Sequence, residues 1–297
     1  MVTSGRIDSG LVERMPQLVK LYSENSDFQN IETLRRNRIK RNRSREFFVE
    51  GVRAIQQAIH NGWTINAFVY SRDKRLSRWA EDILAQPIAK THYELPLKLV
   101  EKLSDKQDTS ELLALVAMPQ DDLARIPVRT HLLSVVLDRP ANPGNLGAIL
   151  RACDALRADG LIITGHAVDL YDPETIRATT GSFFAVPAIR LASHHQVLPW
   201  FKHVRDRLGP LQIVGASAKA KLSIADRDFT LPTVLVIGNE THGLGENYRS
   251  LCDCMVTIPM HGSATSLNVA CATSIILYEV DRQRRNSTRA DSCISSD

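Results

Sequence analysis

Short apolar runs, each followed by a polar loop and a stretch with helical spacing, dominate the second half of the chain. Val135–Leu137, Leu161–Thr164 and Val234–Ile237 have the length and composition of buried strands. Ala148–Leu156 has the spacing of an amphipathic helix. A strand that is followed by a loop, a helix and another strand predicts a parallel sheet. The pattern continues with strands at VPAIRL, LQIVGAS and Met255–Ile258, and with helices near Pro173–Thr180, near His194–Leu208 and from about Ser266.

A smaller alternation of strands and helices occupies residues 46–125. It predicts strands at FFVEG, NAFVYS and LLALVAMP, an extended piece at THYELP, and helices at VRAIQQAIHNGW, Leu76–Leu84 and Leu97–Leu103. The polar segment DDLARIPVRTH is interrupted by Pro127, where we place a domain boundary. The chain is therefore divided into an N-terminal extension (1–29), a small α/β domain (30–127), a larger α/β domain (128–286) and a disordered tail (287–297).

The composition is that of a globular protein with room for two domains. The 297 residues are 43% hydrophobic and 24% charged, which is ordinary for such a chain. The sequence has no apolar run of membrane-spanning length, and its polar start, MVTSGRIDSG, does not resemble a signal peptide. We therefore expect a cytoplasmic protein without a membrane partner.

The five cysteines form no disulfide framework. Cys252 and Cys254 are separated by one residue beside a strand, so their side chains point to opposite faces and make a poor metal pair. His242 and His261 also lack metal-ligand spacing with other donors. Free thiols in a reducing compartment, and no bound metal, are the expectation.

A run of cations precedes the small domain. The segment RRNRIKRNRSR, from Arg35 to Arg45, carries seven cations and no acid. A solvated helix face or a disordered basic arm has the same composition. Here the apolar Leu34 and Ile39 are interleaved and a folded module follows at once, which favours a basic helix that meets the phosphates of a nucleic acid. The candidate RNA-binding residues are Arg35, Arg36, Arg38, Lys40, Arg41 and Arg43.

Two glycine-rich polar loops follow predicted strands in the larger domain. The first, GNETHGLGEN, comes after Val234–Ile237, and the second, HGSATSLN, opens the last helix. Either loop alone could be an ordinary turn, but polar loops at adjacent strand ends predict a ligand crevice. Neither these loops nor the upstream ANPGNLG match the dinucleotide fingerprint or the P-loop, which makes nicotinamide cofactors and ATP poor candidates.

Three segments resemble the signature motifs of the SpoU (TrmH-type) RNA 2′-O-ribose methyltransferases. They are NPGNLGAILR, VIGNETHGL and IPMHGSATSLNVACATSIILYE, in the family's order. The basic run with EFFVEGVRAIQQAI is similar to the family's N-terminal substrate-binding domain, which is related to ribosomal protein L30e. The resemblance covers roughly residues 30–285. Within the family the chain most resembles the avilamycin-resistance type, which methylates a uridine ribose in 23S rRNA.

The resemblance implies a fold that the pattern alone does not. The pattern of strands and helices predicts an open Rossmann-like sheet, because knots are rare in proteins. In this family, however, the C-terminal segment threads through a loop to form the trefoil knot of the SPOUT class. The resemblance also implies a homodimer whose active site takes groups from both subunits, and an S-adenosylmethionine pocket. The implied pocket residues are Gly215, Ala216, Gly238, Asn239, Glu240, Ile258, Met260 and Leu267.

The catalytic assignments follow from the same resemblance. Arg151 matches the family's catalytic arginine. Because a guanidinium stays protonated, it acts as a general base only in an unusual environment; otherwise it holds the target phosphate while the hydroxyl proton leaves to that phosphate or to water. Asn145 is expected to cap the helix and to orient Arg151 or the ribose. Glu240 is expected to brace the loops or the arginine. Two residues where the last helix begins would contact nucleotide or cofactor, namely Ser266 and Asn268.

The implied activity is S-adenosylmethionine-dependent methylation of a ribose 2′-hydroxyl, most closely of a uridine in 23S rRNA. Its role would be antibiotic resistance or housekeeping modification. Arg177 could reach RNA or the partner subunit's site, or could pair with Asp172 or Glu174. A tRNA ribose methyltransferase and a non-enzymatic ribosome-assembly factor remain as alternatives. The separate N-terminal module argues against the first, and the complete set of candidate site residues argues against the second.

Overall fold

A mixed β-sheet forms the N-terminal module (residues 17–117). The structure, a computed structural model, describes residues 15–104 and 108–294, with side chains described up to residue 287. Within these ranges the first sheet has the strand order β1-β4-β3-β5-β2. Strands β1 and β3 run parallel to β4, whereas β5 is antiparallel to β3 and β2. The strands are β1 (Gln17–Lys20), β2 (Glu46–Glu50), β3 (Ile65–Ser71), β4 (Ala89–Leu95) and β5 (Leu112–Ala117).

Strand β1 lies within the segment predicted to be an N-terminal extension. It is an edge strand with three of its four residues exposed, so its sequence lacks the apolar pattern of a buried strand. The folded module includes β1 and the start of the first helix, which the predicted boundary at residue 30 leaves out. Residues 1–14 of the predicted extension lie outside the described residues.

The helices of the N-terminal module divide the basic run: the predicted basic helix forms over Arg38–Ser44, whereas Arg35 and Arg36 belong to the end of the preceding helix. Helix α1 (Ser26–Arg36) ends before Asn37, and α2 (Arg38–Ser44) begins after it. Asn37 has an extended backbone, and its side chain accepts a hydrogen bond from the Lys40 amide, which makes it the N-cap of α2. The other helices are α3 (Val52–His60), α4 (Arg78–Leu84) and α5 (Leu97–Leu103).

The C-terminal module (residues 133–294) is built on the parallel sheet that the sequence predicts. In the described part of the chain it has seven strands in the order β10-β12-β9-β11-β6-β7-β8, and every neighbouring pair is parallel. The trefoil threading implied by the resemblance stays a prediction. The strands are β6 (Leu133–Asp138), β7 (Gly160–Thr164), β8 (Ala188–Leu191), β9 (Gln212–Ala216), β10 (Leu222–Ser223), β11 (Thr233–Ile237) and β12 (Cys254–Thr257).

Helices cover both faces of this sheet, which is why its central strands are continuous apolar runs. One face packs against α6 and α10, and the other packs against α8 and α9. Helix α10 extends to Ile294, so the tail predicted to be disordered from residue 287 is helical up to that point; residues 295–297 lie outside the described residues. The helices are α6 (Pro143–Ala155), α7 (Pro173–Ala178), α8 (Leu198–Leu208), α9 (Glu246–Arg249) and α10 (Val269–Ile294).

An aromatic cluster joins the two modules. Phe47 of β2 lies 4.9 Å from the ring of Tyr171 and 5.6 Å from that of Phe183, measured between ring centroids. The indole N–H of Trp63 donates a hydrogen bond of 3.0 Å to the carbonyl of Phe184. Because Phe47, Tyr171, Phe183 and Phe184 are all at most 3% exposed, the two modules share a hydrophobic core.

Arg41 is a buried tie between the modules, so the prediction that it binds RNA is wrong. The residue is 1% exposed. Its Nε and Nη2 donate to Asp169 Oδ2 at 3.0 and 2.6 Å, and Nη2 also lies 3.4 Å from Asp172 Oδ2. Its Nη1 donates to the carbonyls of Leu34 and Arg35 at the end of α1. Two carboxylates and two carbonyls satisfy the guanidinium, which explains how a cation can be buried here.

Candidate active site

A cavity of about 690 Å³ lies at the carboxyl ends of β9, β11 and β12, where an open parallel sheet places its ligands. The loops after these three strands and the first turns of α10 form its wall. It brings together most of the predicted site residues, namely Asn145, Ala216, Gly238, Asn239, Glu240, Ile258, Met260, Ser266, Leu267 and Asn268.

The loop after β11 is folded back tightly upon itself. A Cβ atom added at Gly238 would lie 2.2 Å from the carbonyl carbon of Gly243, so only glycine fits at this position. The Asn239 amide and carbonyl pair with those of Gly243. The side chain of Asn239 accepts hydrogen bonds from the Thr241 and His242 amides and donates 2.7 Å to the carbonyl of Arg139. The loop is therefore held in a fixed shape before any ligand binds.

Glu240 ties this loop to the loop before α6. One carboxylate oxygen accepts from the Ala141 amide at 3.1 Å. The other lies 3.4 Å from the Asn142 amide and 3.3 Å from Asn145 Nδ2. Glu240 therefore connects the two loops, which is one of the two roles that the family resemblance implies for it.

Asn142, rather than Asn145, caps helix α6. The side chain of Asn142 accepts a 2.8 Å hydrogen bond from the Asn145 amide, and Pro143 occupies the first helical position, where a missing amide hydrogen has no cost. The predicted capping role of Asn145 is therefore wrong, because the helix begins one turn earlier than expected. The side chain of Asn145 faces the cavity instead.

Asn268 connects the same network to helix α10. It donates 3.0 Å to Asn145 Oδ1, and its own Oδ1 accepts from the Ala270 and Cys271 amides. Glu240, Asn145 and Asn268 thus link the three motif segments through side-chain hydrogen bonds. Helix α10 starts at Val269 and not at Ser266, so the predicted start is wrong and Ser266 and Leu267 belong to the exposed loop at the cavity mouth.

Gly215 does not line the cavity, which corrects one predicted cofactor contact. It is buried in β9, and a Cβ atom at this position would lie 2.4 Å from Met255 Sδ and 2.8 Å from Cys252 Sγ. Its role is to let β9 and the segment around β12 pack closely. The loop after β9 instead supplies wall residues that the sequence interpretation missed, Ser217, Ala218 and Lys219. Their position directly after an apolar strand was the available signal.

Arg151 is exposed on α6 and lies outside the cavity of its own chain. It is six residues beyond Asn145, a rise of about 9 Å along the helix axis. The guanidinium of Arg151 makes no hydrogen bond or ion pair with any of the described residues. Arg177 is exposed on α7, which packs so closely on α6 that a Cβ atom at Gly147 would lie 2.5 Å from Ala178 Cβ. The fold brings both arginines to the outer surface of the α6–α7 pair.

The remaining cations of the basic run differ in their surroundings. Arg43 is exposed, Arg36 is exposed and pairs with Glu32, and Arg38 donates 2.8 Å to the carbonyl of Ala167 in the C-terminal module. Arg35 donates to the carbonyl of Lys102, and Lys40 donates to Asn30 Oδ1. Helix α2 therefore presents part of its charge beside the junction of the two modules.

Two of the cysteines, Cys153 and Cys252, are poor candidates for a nucleophile. Burial raises the pKa of Cys153 and of Cys252 to about 12, so both thiols are protonated near neutral pH. Among the residues that the structure describes, no group of three His, Cys, Asp or Glu side chains is placed to hold a metal ion. None of the helices in the described part of the chain is both long and apolar enough to cross a membrane.

The chain matches two family models, one for each module. The SpoU L30e-like domain matches residues 25–114, and the SpoU rRNA Methylase family matches residues 132–278. The chain is also 45% identical, over 273 residues, to the 23S rRNA (uridine(2479)-2'-O)-methyltransferase of Streptomyces viridochromogenes, and the match covers 92% of this chain and 95% of that protein.

Solved structures agree over both modules. The SpoU methyltransferase AviRb from Streptomyces viridochromogenes, in complex with the cofactor AdoMet, is similar with a TM-score of 0.82 and 45% identity, covering 88% of this chain and all of that one (100%). An AdoMet-bound rRNA methyltransferase from Sinorhizobium meliloti has a TM-score of 0.80 and 29% identity, covering 90% of this chain and 98% of that one. These matches span both sheets and all three motif segments, and the chain belongs to the SpoU rRNA methylase family.

Proposed function

We propose that this protein transfers a methyl group from S-adenosylmethionine to the 2′-hydroxyl of a uridine ribose in 23S rRNA. The observation that carries the proposal is the cavity in which Glu240, Asn145 and Asn268 join the three motif segments. The similarity to a 23S rRNA uridine methyltransferase supports the choice of substrate. Action on 23S rRNA makes the cytoplasm the site of action.

The cavity suits S-adenosylmethionine in size and in chemistry. Its volume of about 690 Å³ is in the usual range for a small-molecule site. Ile258, Met260 and Leu267 offer apolar surface for the adenine, and the backbone near Gly238 can approach its polar edges closely. Lys219, exposed at the mouth, offers a cation for the carboxylate. When bound, the cofactor supplies an electrophilic methyl group on a sulfonium.

The chain's own residues then have to position the ribose and accept or direct a proton. Alignment of the hydroxyl with the methyl group supplies much of the acceleration in such a transfer. An exposed guanidinium is a cation with a planar fork of donors, which suits a phosphate better than it suits proton abstraction. Arg151 therefore holds the target phosphate, and the hydroxyl proton leaves to that phosphate or to water.

In this proposal Arg151 acts at the cavity of the partner subunit, so the complete active site forms only in a homodimer. Within one chain Arg151 lies outside the cavity. Helix α10, which packs against α6, carries two exposed apolar residues, Ile275 at 39% and Tyr278 at 53%, and Leu267 in the loop before the helix is 38% exposed. Pairing of these faces would cover the apolar surface and bring α6 of one subunit toward the cavity of its partner. The trefoil knot belongs to the same proposal, since it would fix the loops that line the cavity.

Substitution of Arg151 separates chemistry from binding. Arg151→Ala should abolish methyl transfer under single-turnover conditions with saturating enzyme. Arg151→Lys should remain badly impaired, because an ammonium lacks the planar fork. Affinity for S-adenosylmethionine should be unchanged, and RNA affinity should fall by about 1–3 kcal/mol, the value of one charge-assisted contact.

Arg207→Ala is the matched control, because Arg207 is exposed on α8 and its loss removes the same charge from a remote helix. Near-normal turnover of Arg151→Ala at saturation would show that this arginine contributes binding alone. Loss of cofactor binding in Arg151→Ala would show that it supports the cavity instead.

A further inference from the structure

An exposed aromatic ring lies at one end of the N-terminal module. Tyr22 directly follows Leu21 at the end of β1 and is 66% exposed. The guanidinium of Arg72, the residue after β3, lies over its ring at 4.7 Å from the centroid. Tyr22 is therefore an exposed aromatic side chain with a cation placed over its ring.

The backbone beneath this pair is fixed. The Leu21 amide donates to the carbonyl of Glu94, and the Arg72 amide donates to the carbonyl of Leu95, both at 3.0 Å. Leu21 itself is buried in the core of the module. Tyr22 and Arg72 are thus held side by side at the carboxyl ends of β1, β4 and β3, and are not placed together by two mobile loops.

The surroundings are positively charged. Lys74 and Arg75 in the loop after β3, and Lys98 at the start of α5, are all exposed. The nearby acids are engaged: Asp73 accepts from the Leu97 amide at 2.8 Å and pairs with Arg72 at 3.6 Å, and Glu94 pairs with Lys20 at 3.4 Å. An aromatic ring that is held in a fixed position and surrounded by cations is the arrangement that proteins use to bind single-stranded nucleic acid.

This place is distinct from the cavity and from α2. The amino-terminal end of β3 adjoins Trp63, which contacts Phe184 of the C-terminal module. Seven strand residues separate that end from Arg72, which is about 20 Å at the usual rise of a strand. The ring of Tyr22 is therefore on the side of the N-terminal module that faces away from the C-terminal module.

We propose that Tyr22 and Arg72 form a distal RNA anchor that stacks an unpaired base of the substrate RNA. Arg72 covers one face of the ring and fixes its orientation, and the base stacks on the face left to solvent. Lys74 and Arg75 hold the adjoining phosphates. The proposal rests on RNA as the substrate and adds a second contact, remote from the reacting ribose, which selects RNA with an unpaired segment at a fixed distance from the target.

Binding to deproteinised 23S rRNA, measured by filter binding at one fixed salt concentration, tests the anchor. Tyr22→Ala should weaken binding roughly tenfold, as loss of one base–aromatic stack does, whereas Tyr22→Phe keeps the ring and should bind like the unchanged protein. Leu18→Ala is the matched control, since Leu18 is a 50% exposed apolar residue on β1. In steady-state methylation, Tyr22→Ala should raise KM for the RNA with kcat unchanged.

Ultraviolet crosslinking of the unchanged protein to the same RNA gives an independent measurement, in which the peptide that contains Tyr22 should carry a nucleotide. Wild-type affinity of Tyr22→Ala, an equal loss in Leu18→Ala, or no crosslink at Tyr22 would each overturn the anchor. Methylation by the unchanged protein alongside any of these results leaves the proposed function intact. An unchanged protein that neither binds nor methylates 23S rRNA would instead refute the proposed function.

Discussion

The carboxylate of Glu240 holds two loops that are 98 residues apart in the chain. Its contacts are with backbone amides and one side-chain amide, so its role depends on accepting hydrogen bonds and not on donating or abstracting a proton. Because the residue is exposed to solvent, each contact is worth no more than an ordinary hydrogen bond. The consequence of losing it should appear in the shape of the cavity.

Glu240→Ala should weaken binding of S-adenosylmethionine by about 1 kcal/mol, roughly fivefold, because the loops lose their common acceptor. Glu240→Gln keeps one acceptor oxygen and should lose less. Isothermal titration with the cofactor measures both. Unchanged affinity in Glu240→Ala would mean that the remaining hydrogen bonds, including those of Asn239, are sufficient to shape the loop.

Arg41 should contribute stability and not RNA affinity. Arg41→Ala leaves Asp169, whose side chain is 7% exposed, without its partner, and breaking such a buried pair costs about 3–5 kcal/mol in the free energy of unfolding. The measurement is urea denaturation. Arg43→Ala, at an exposed position of the same helix, is the control and should change stability by no more than about 0.5 kcal/mol. Equal, small effects of the two substitutions would contradict the assignment.

These two residues show what could be predicted at single positions. The bracing role of Glu240 was one of two roles implied by the family resemblance, and the residue pattern alone did not choose between them. The burial of Arg41 was not, because its neighbours in sequence are cations of the same kind. Its partner Asp169 is 128 residues away, and only the packing of α2 against the C-terminal module brings them together.

Helix α10 presents one surface to the core and another to solvent. Ile276, Leu277 and Val280 are buried, whereas Ile275 and Tyr278 are exposed. The proposed homodimer would cover these exposed apolar residues, which lie at helical spacing beside a cavity that Arg151 of the same chain does not enter.

Ile275→Glu should dissociate the proposed homodimer and abolish methylation, because the proposed interface would bury an unpaired charge. Sedimentation velocity reports the oligomeric state, and methylation of 23S rRNA reports the consequence. Val52→Glu is the matched control, since Val52 is also β-branched, is 44% exposed against 39% for Ile275, and lies on α3 of the N-terminal module. A monomeric wild-type protein, or a fully active Ile275→Glu monomer, would contradict the shared active site.

Elements were predictable from sequence in proportion to their burial. The central strands β6, β7 and β11 are fully buried, so their apolar runs mark them clearly. Strand β1 lies at an edge and the two-residue β10 is half-buried, so neither has a pattern that stands out. The start of α6 was misplaced because Asn142 and Asn145 are both suitable caps, and Pro143 at the first helical position decides between them.

We expect the whole molecule to unfold as one unit, because the aromatic cluster around Phe47 belongs to both modules. The two sheets were predictable, but their common core was not. The residues that form it lie in separate segments around positions 47, 63 and 171–184, and each segment alone has an ordinary apolar pattern.

Phe47→Ala should lower the free energy of unfolding by about 3–5 kcal/mol, the range for loss of a buried ring. Differential scanning calorimetry of the unchanged protein should show one cooperative transition, and the substitution should shift that transition as a whole. Two separate transitions, with only the one from the N-terminal module shifted, would show that the modules unfold independently.

The identity of the methylated product tests the proposed activity. The purified protein is incubated with deproteinised 23S rRNA and S-adenosylmethionine that carries a deuterated methyl group, and the RNA is digested to nucleosides for mass spectrometry. We expect the label in 2′-O-methyluridine, and we expect no label with Arg151→Ala. Label on a base, label in a different 2′-O-methylated nucleoside, or no label although the cofactor binds would contradict the proposed activity.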